Sequence, residues 1–185
     1  MALLDRWKLT YEDYLSFPDD GRRHEIIDGE HYVTPAPIPR HQLAVTELVL
    51  ALGNWCGERG SGRVIASPID VLFEDTSVVQ PDLVWIAEER WSIVSDTNVQ
   101  GAPDLVVEVL SPTTRRTDEI IKRKLYERFG VREYWLIDLE IEAVKVWRLE
   151  AERFVRVSEL TLEDDAVLTS LLLFGFALPL RKLFT

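Results

Sequence analysis

At 185 residues, with 46% hydrophobic and 29% charged residues, the chain has the length of one domain and the composition of a globular protein rather than a disordered or fibrous one. Its 32 acidic against 21 basic residues give a formal net charge of −11, which excludes binding to a polyanion through a general basic field. Contact with such a partner has to be local, or bridged by metal cations.

In chain order, the first residues carry early acids and no apolar stretch, so no secretory leader is expected. A short helix is predicted over residues 11–16, with Thr10 as its N-cap answered by Asp13, and Pro18 and Gly21 stopping it. Residues 24–33 read as two strands around the Asp28-Gly29 turn, a strong hairpin signal. Prolines 35, 37 and 39 make an extended connector. Leu43, Leu48, Leu52 and Trp55 then fall near helical spacing over residues 41–58, ended by Gly57 and Gly60. Cys56, the single cysteine, cannot form an internal disulfide and lies in this apolar pattern as a buried reduced thiol.

Strands follow at residues 64–73, 83–86 and 105–110, the last one buried. A helix is predicted over residues 118–129, with Ile121, Leu125 and Phe129 on its core face and Gly130 as its stop. A strand at 133–138 and a hairpin pairing 143–149 with 154–158 come next. The tail from residue 171 is a short apolar segment packing back on the body. Its longest oily run, residues 171–180, is shorter than the roughly 20 residues of a membrane span and contains Gly175 and Pro179. The expectation is a single cytoplasmic α/β (α+β) domain over residues 1–185, built on a mixed sheet with flanking helices and a C-terminal β-hairpin.

Chemistry concentrates at a few positions. Glu108 sits among aliphatic neighbours in Leu105-Val106-Val107-Glu108-Val109-Leu110, where a carboxylate costs several kcal/mol unless paired or bound to a cation. The plainer alternative is an edge strand that turns Glu108 to solvent, or an arginine partner. Asp82 opens the strand after Pro81, and two carboxylates from neighbouring strand ends can meet on one ion. Mg²⁺ and Mn²⁺ prefer such oxygen ligands and keep waters that serve as nucleophiles. Asp104 repeats the Pro-Asp pattern, but it is four residues from Glu108 on one strand, roughly 13 Å away and too far to share an ion.

Asp118, Lys122 and Tyr126 recur every four residues and form one helical stripe that can lean over the carboxylates. Lys122 there could stabilise a pentavalent phosphorus transition state or orient water. It could equally be an ordinary surface pair with Asp118. His41 could touch the site or a phosphate, or cap its helix. His24 and His31 lack zinc spacing.

The stretches Val79-Gln80-Pro81-Asp82-Leu83-Val84 and Pro103-Asp104-Leu105-Val106-Val107-Glu108-Val109-Leu110-Ser111-Pro112-Thr113-Thr114 resemble the Uma-type restriction endonucleases of the PD-(D/E)XK nuclease superfamily. So do Asp118, Lys122, Tyr126, Gly130-Val131 and Glu133-Tyr134-Trp135-Leu136-Ile137-Asp138, with Arg23-His24-Glu25-Ile26-Ile27-Asp28-Gly29-Glu30 upstream and His41 at the first long helix. The likeness runs from about residue 10 to residue 138.

This resemblance implies a restriction-endonuclease-like core and Mg²⁺- or Mn²⁺-dependent hydrolysis of phosphodiester bonds in DNA. It implies Asp82 and Glu108 as metal ligands and Glu25 as the upstream acid that helps with the metal. The superfamily lysine two residues after the second acid is replaced by Leu110 here, so the resemblance points to Lys122, with Lys124 turned away from the stripe. Trp147, Phe154, Phe174 and Phe176 offer apolar surface suited to a homodimer. The competing expectation is a catalytically silent nuclease-fold dimer acting as a binding or regulatory module.

Overall fold

The structure, a computed structural model, describes residues 7–184. Its first helix, α1 (Tyr11–Tyr14), is held by a capping box: the Asp13 carboxylate accepts the Thr10 amide at 2.8 Å, and the Thr10 hydroxyl accepts the Asp13 amide. Strands β1 (Arg23–Ile27) and β2 (Glu30–Thr34) form the expected hairpin. Asp28 and Gly29 both adopt positive φ (54° and 81°), as a two-residue turn matched to strand twist requires. Helix α2 (Pro39–Arg59) begins two residues earlier than the apolar pattern indicates, because Pro39 fits the first helical position. Gly60, left-handed at φ 61°, ends it.

The predicted strand over 64–73 is in fact two strands in different sheets, β3 (Arg63–Ala66) and β4 (Val71–Glu74). Pro68 lies between them and cannot donate to a ladder, so the apolar run breaks there. Strands β5 (Ser77–Val79), β6 (Leu83–Ile86), β7 (Val99–Gln100) and β8 (Leu105–Leu110) follow. Next come α3 (Arg123–Phe129), β9 (Glu133–Asp138), β10 (Ala143–Glu150), β11 (Arg153–Thr161), β12 (Val167–Thr169), β13 (Ala177–Pro179) and α4 (Leu180–Leu183). The predicted helix over 118–129 is α-helical only from Arg123; residues Thr117–Lys122 form a π-helical turn.

Six strands make the central mixed sheet in the order β11-β10-β9-β8-β6-β3, with β8 and β9 parallel. A second sheet has the order β2-β1-β5-β4-β7. Strand β8 is covered on both faces, which is why all six of its residues are buried. Leu105, Val107 and Val109 join the cluster of Leu48, Leu52 and Trp55 from α2 and of Leu178, Leu180 and Leu183 from the tail. Val106 and Leu110 join the opposite cluster with Leu125, Tyr126 and Tyr134. Glu108 shares their parity and therefore points toward the α3 side.

Two expectations about apolar residues fail. Leu43 is 58% exposed, and Ala44 and Val45 pack into the core instead. Of the aromatics assigned to a dimer face, Phe154 and Phe176 are buried and Trp147 is half-buried between its own chain's elements; Phe174 alone is widely exposed, at 83%. Cys56 is buried and free, as expected. Among the described residues no helix is long and apolar enough to cross a membrane.

Candidate functional site

Four elements deliver carboxylates to one place. Glu108 comes from the middle of β8, Glu25 from β1, Asp82 from the residue before β6, and Asp118 from the π-helical turn before α3. All four are buried. The π turn matters because its wider i→i+5 bonding re-aims side chains, and here both Asp118 and Lys122 turn inward.

Lys122 stands at the centre. Its Nζ is 2.7 Å from Glu25 Oε1, 3.0 Å from Glu108 Oε1 and 3.6 Å from Asp118 Oδ1, and its side chain is 3% exposed. The surface-pair alternative is thereby excluded. Tyr126 donates from its hydroxyl to the same Glu108 oxygen at 2.8 Å, so neither bond uses Oε2. Glu25 also accepts the Gln80 amide at 2.7 Å. Tyr134 donates to the Asp118 carbonyl at 3.1 Å.

Asp82 is held separately but adjacently. Arg23 donates to its Oδ1 at 2.9 Å, while Oδ2 accepts the Val109 amide at 2.8 Å and lies 3.1 Å from His41 Nε2. The Val109 amide ties Asp82 to the residue next to Glu108, so the two acids from neighbouring strands do converge. Arg23, His41, Asp82, Glu108, Asp118 and Lys122 together line a cavity of ≈340 Å³, and Glu25 lies behind them.

Charge is unevenly distributed over this wall. Burial pushes the Glu108 carboxyl up to about 8; Lys122 opposes the shift, and the charges of Asp118, Asp82 and Glu25 reinforce it. Burial likewise raises Asp118 to about 6 against the pull of Lys122 and Thr114. Burial also disfavours ionised Asp82, but His41, Arg23 and the Val109 amide outweigh it and hold the group at about 2. Burial works against the charge of Lys122, yet Glu108, Glu25 and Asp118 overcome it and keep the ammonium protonated.

The four carboxyls face two cations, Lys122 and Arg23, and this crowding of acids adds to burial in holding Glu108 and Asp118 above the ordinary carboxyl range. Among the described residues, no three His, Cys, Asp or Glu side chains are gathered closely enough to hold a metal ion as they stand, because Lys122 fills the middle of the acids. The donor set nevertheless fits a hard divalent cation: Asp82 and Glu108 supply oxygen only, on a cavity wall, and a cation there would favour the ionised form of Glu108 that burial opposes.

The other sequence candidates lie elsewhere. Asp104 is fully buried apart from the cluster, bound by Arg90 at 2.8 Å, Arg132 at 3.3 Å and the Ala87 amide at 3.0 Å. Lys124 is exposed, and Leu110 lines the cavity as an apolar wall. His24 and His31 stack and bond each other at 2.9 Å, with Asp20 on the far nitrogen of His24. Sequence reasoning gave no role to Arg23, although it stands two residues from Glu25 and so shares its strand face. No local signal could have shown the Val109 amide.

Comparison with known proteins agrees with this architecture. A family model described as Uma2, "Putative restriction endonuclease", matches residues 11–181. The crystal structure of a putative nuclease belonging to DUF820 from Anabaena variabilis ATCC 29413 superposes with a TM-score of 0.79 at 22% identity, covering 95% of this chain and 97% of that one. The type IIG restriction endonuclease BpuSI gives a TM-score of 0.42 at 15% identity, over 66% of this chain and 13% of that one. No curated protein matches. The fold is therefore that of the DUF820 nuclease structure, and with the family model matched over nearly its whole length, the chain belongs to the Uma2 family of restriction endonuclease-like proteins.

Proposed function

We propose that this protein is a Mg²⁺- or Mn²⁺-dependent endonuclease that hydrolyses phosphodiester bonds in DNA. In this reading Asp82 and Glu108 are the metal ligands, Glu25 supports them, and Lys122 stabilises charge on the scissile phosphate. One observation carries it: four acids from separate elements are buried around two cations, and Asp82 and Glu108 among them reach the wall of one cavity. A folded protein keeps so costly an arrangement where a cation completes it.

When bound, a divalent ion supplies an activated water and neutralises charge on the phosphate. The chain's own groups do the rest. Tyr126 fixes the Glu108 carboxylate, and the Val109 amide with His41 orients Asp82. Glu25 and Glu108 hold the Lys122 ammonium where it can donate to a phosphate oxygen. Arg23 and Arg40 stand on the cavity wall, but Arg23 is paired with Asp82 and Arg40 with Glu142, so a chain of net charge −11 would meet a polyanion there chiefly through the bound metal ion.

A homodimer acting in the cytoplasm belongs to the same proposal. It is supported by Leu171 and Phe174, each exposed in the tail, and it is checked by mass in solution. The enzymatic reading is tested with purified protein on single-stranded, double-stranded and branched DNA. Cleavage should require Mg²⁺ or Mn²⁺ and disappear in Asp82→Ala, Glu108→Ala and Lys122→Ala. Wild-type protein inactive on all three substrates with both metals would overturn it. A silent nuclease-fold module is the second reading, favoured by the engagement of Lys122 with three carboxylates; absence of Mn²⁺ binding in calorimetry would select it.

A further inference from the structure

We propose that Arg23 is a resident counter-ion of the site, displaced from Asp82 by an arriving divalent cation and thereby freed to grip the phosphate of a bound strand. This rests on Asp82 being a metal ligand.

The argument starts from the Asp82 oxygens. Oδ2 already meets two groups, the Val109 amide and His41 Nε2, which use both of its lone pairs. Oδ1 carries a single bond, from Arg23 Nη1 at 2.9 Å. A cation can reach Asp82 only at Oδ1. A metal–oxygen bond of about 2.1 Å would then place the ion within about 5 Å of the guanidinium nitrogen. Three positive charges so close together, in a largely buried site, repel strongly.

Arg23 is the cation able to yield. Lys122 is held by three carboxylates with its side chain 3% exposed, whereas the Arg23 side chain is 18% exposed and anchored otherwise by the Ser67 hydroxyl at 3.0 Å. It also stands between two cavities: the acidic one, and a neighbour of ≈310 Å³ bounded by Gly21, Ser67, Pro68 and Gln80. A planar fork released beside the metal ligands suits two oxygens of one phosphate. The same swing couples the two events, since metal binding uncovers the phosphate donor and a bound phosphate keeps Arg23 off Asp82.

Mn²⁺ binding, followed by calorimetry without DNA, separates this role from a structural one. Removing a competitor tightens metal binding, while removing a mere support for Asp82 weakens it. Arg23→Gln should bind Mn²⁺ about tenfold more tightly than wild type, yet bind a short duplex more weakly in Ca²⁺, as read by fluorescence anisotropy. Equal or weaker Mn²⁺ binding by Arg23→Gln, with wild type binding normally, overturns the counter-ion role alone. Wild type that binds no Mn²⁺ overturns the metal reading and this inference with it. Should Arg23→Gln fail to fold, Ser67→Ala removes only the second anchor of Arg23. It should tighten Mn²⁺ binding severalfold, and an unchanged or weaker affinity overturns the proposal.

Discussion

Two substitutions on one hydrogen bond should move stability in opposite directions. Lys122→Met deletes the cation shared by Glu25, Glu108 and Asp118, leaving three buried carboxylates without it. Removing one partner of a buried ion pair costs about 3–5 kcal/mol. For a protein of this size that lowers the melting temperature by roughly 6–20 °C, at about 2–4 °C per kcal/mol. Glu108→Gln acts on the other end. The amide oxygen still accepts from Lys122 and Tyr126, and the substitution removes a carboxyl that burial raises to about 8 and that the fold must therefore hold largely protonated at neutral pH. The metal-free protein should therefore gain about 1–3 kcal/mol. Urea unfolding in EDTA at neutral pH measures both. Saturating Mn²⁺ (about 100 times its Kd) should then add about 2.7 kcal/mol to wild type and little to Glu108→Gln. If Glu108→Gln is as destabilising in EDTA as Lys122→Met, the cluster is a satisfied network, and the argument from crowded buried acids to a metal fails.

Elsewhere in the molecule, Asp104→Ala should cost about 2–4 kcal/mol, because the buried Ala87 amide loses its acceptor and Arg90 and Arg132 lose their anion. Its Mn²⁺ affinity should stay at the wild-type value, and a large loss would mean that this network shapes the site. Arg115→Ala should destabilise by on the order of 2 kcal/mol at neutral pH, since Arg115 donates from both terminal nitrogens to the buried Asp138. Burial works to raise the Asp138 carboxyl, but Arg115 outweighs it and holds the group below its ordinary value. The unfolded chain therefore takes up the proton first as pH falls, so the contribution is full above about pH 5 and vanishes in acid. The gap between the urea midpoints of wild type and variant should narrow as pH falls from about 5 into acid, and a gap that stays constant or widens over that range would refute the assignment.

Most of the site was legible because its cost is written locally. A carboxylate between aliphatic residues in a strand buried on both faces demands a partner, and Glu108 has two. The Asp118–Lys122–Tyr126 stripe also survived, although its first turn is π-helical and its members face the acids rather than solvent. Errors came where a local pattern meets a distant surface. Leu43 is apolar at roughly helical spacing, yet Ala44 and Val45 fill the groove. The run over 64–73 is apolar almost throughout, yet Pro68 divides it between two sheets. Phe154 and Phe176 are large and apolar as a partner surface would need, yet both pack inward and are buried.

By itself the sequence determined the hairpin at Asp28-Gly29, the buried strand and the need of Glu108 for a partner, because these depend on backbone preferences and on the cost of burying charge. Only the tertiary structure decided that Lys122 lies among Glu25, Glu108 and Asp118. It also decided that Asp82 shares its oxygens with Arg23, His41 and the Val109 amide. Apart from Asp118 and Lys122, which stand at helical i,i+4 spacing, those partners are 14 or more residues apart along the chain, and no short-range rule links them. Packing α3 and the β1 hairpin against β8 brings the charges within hydrogen-bonding distance, and that approach sets the field in which any bound cation must compete.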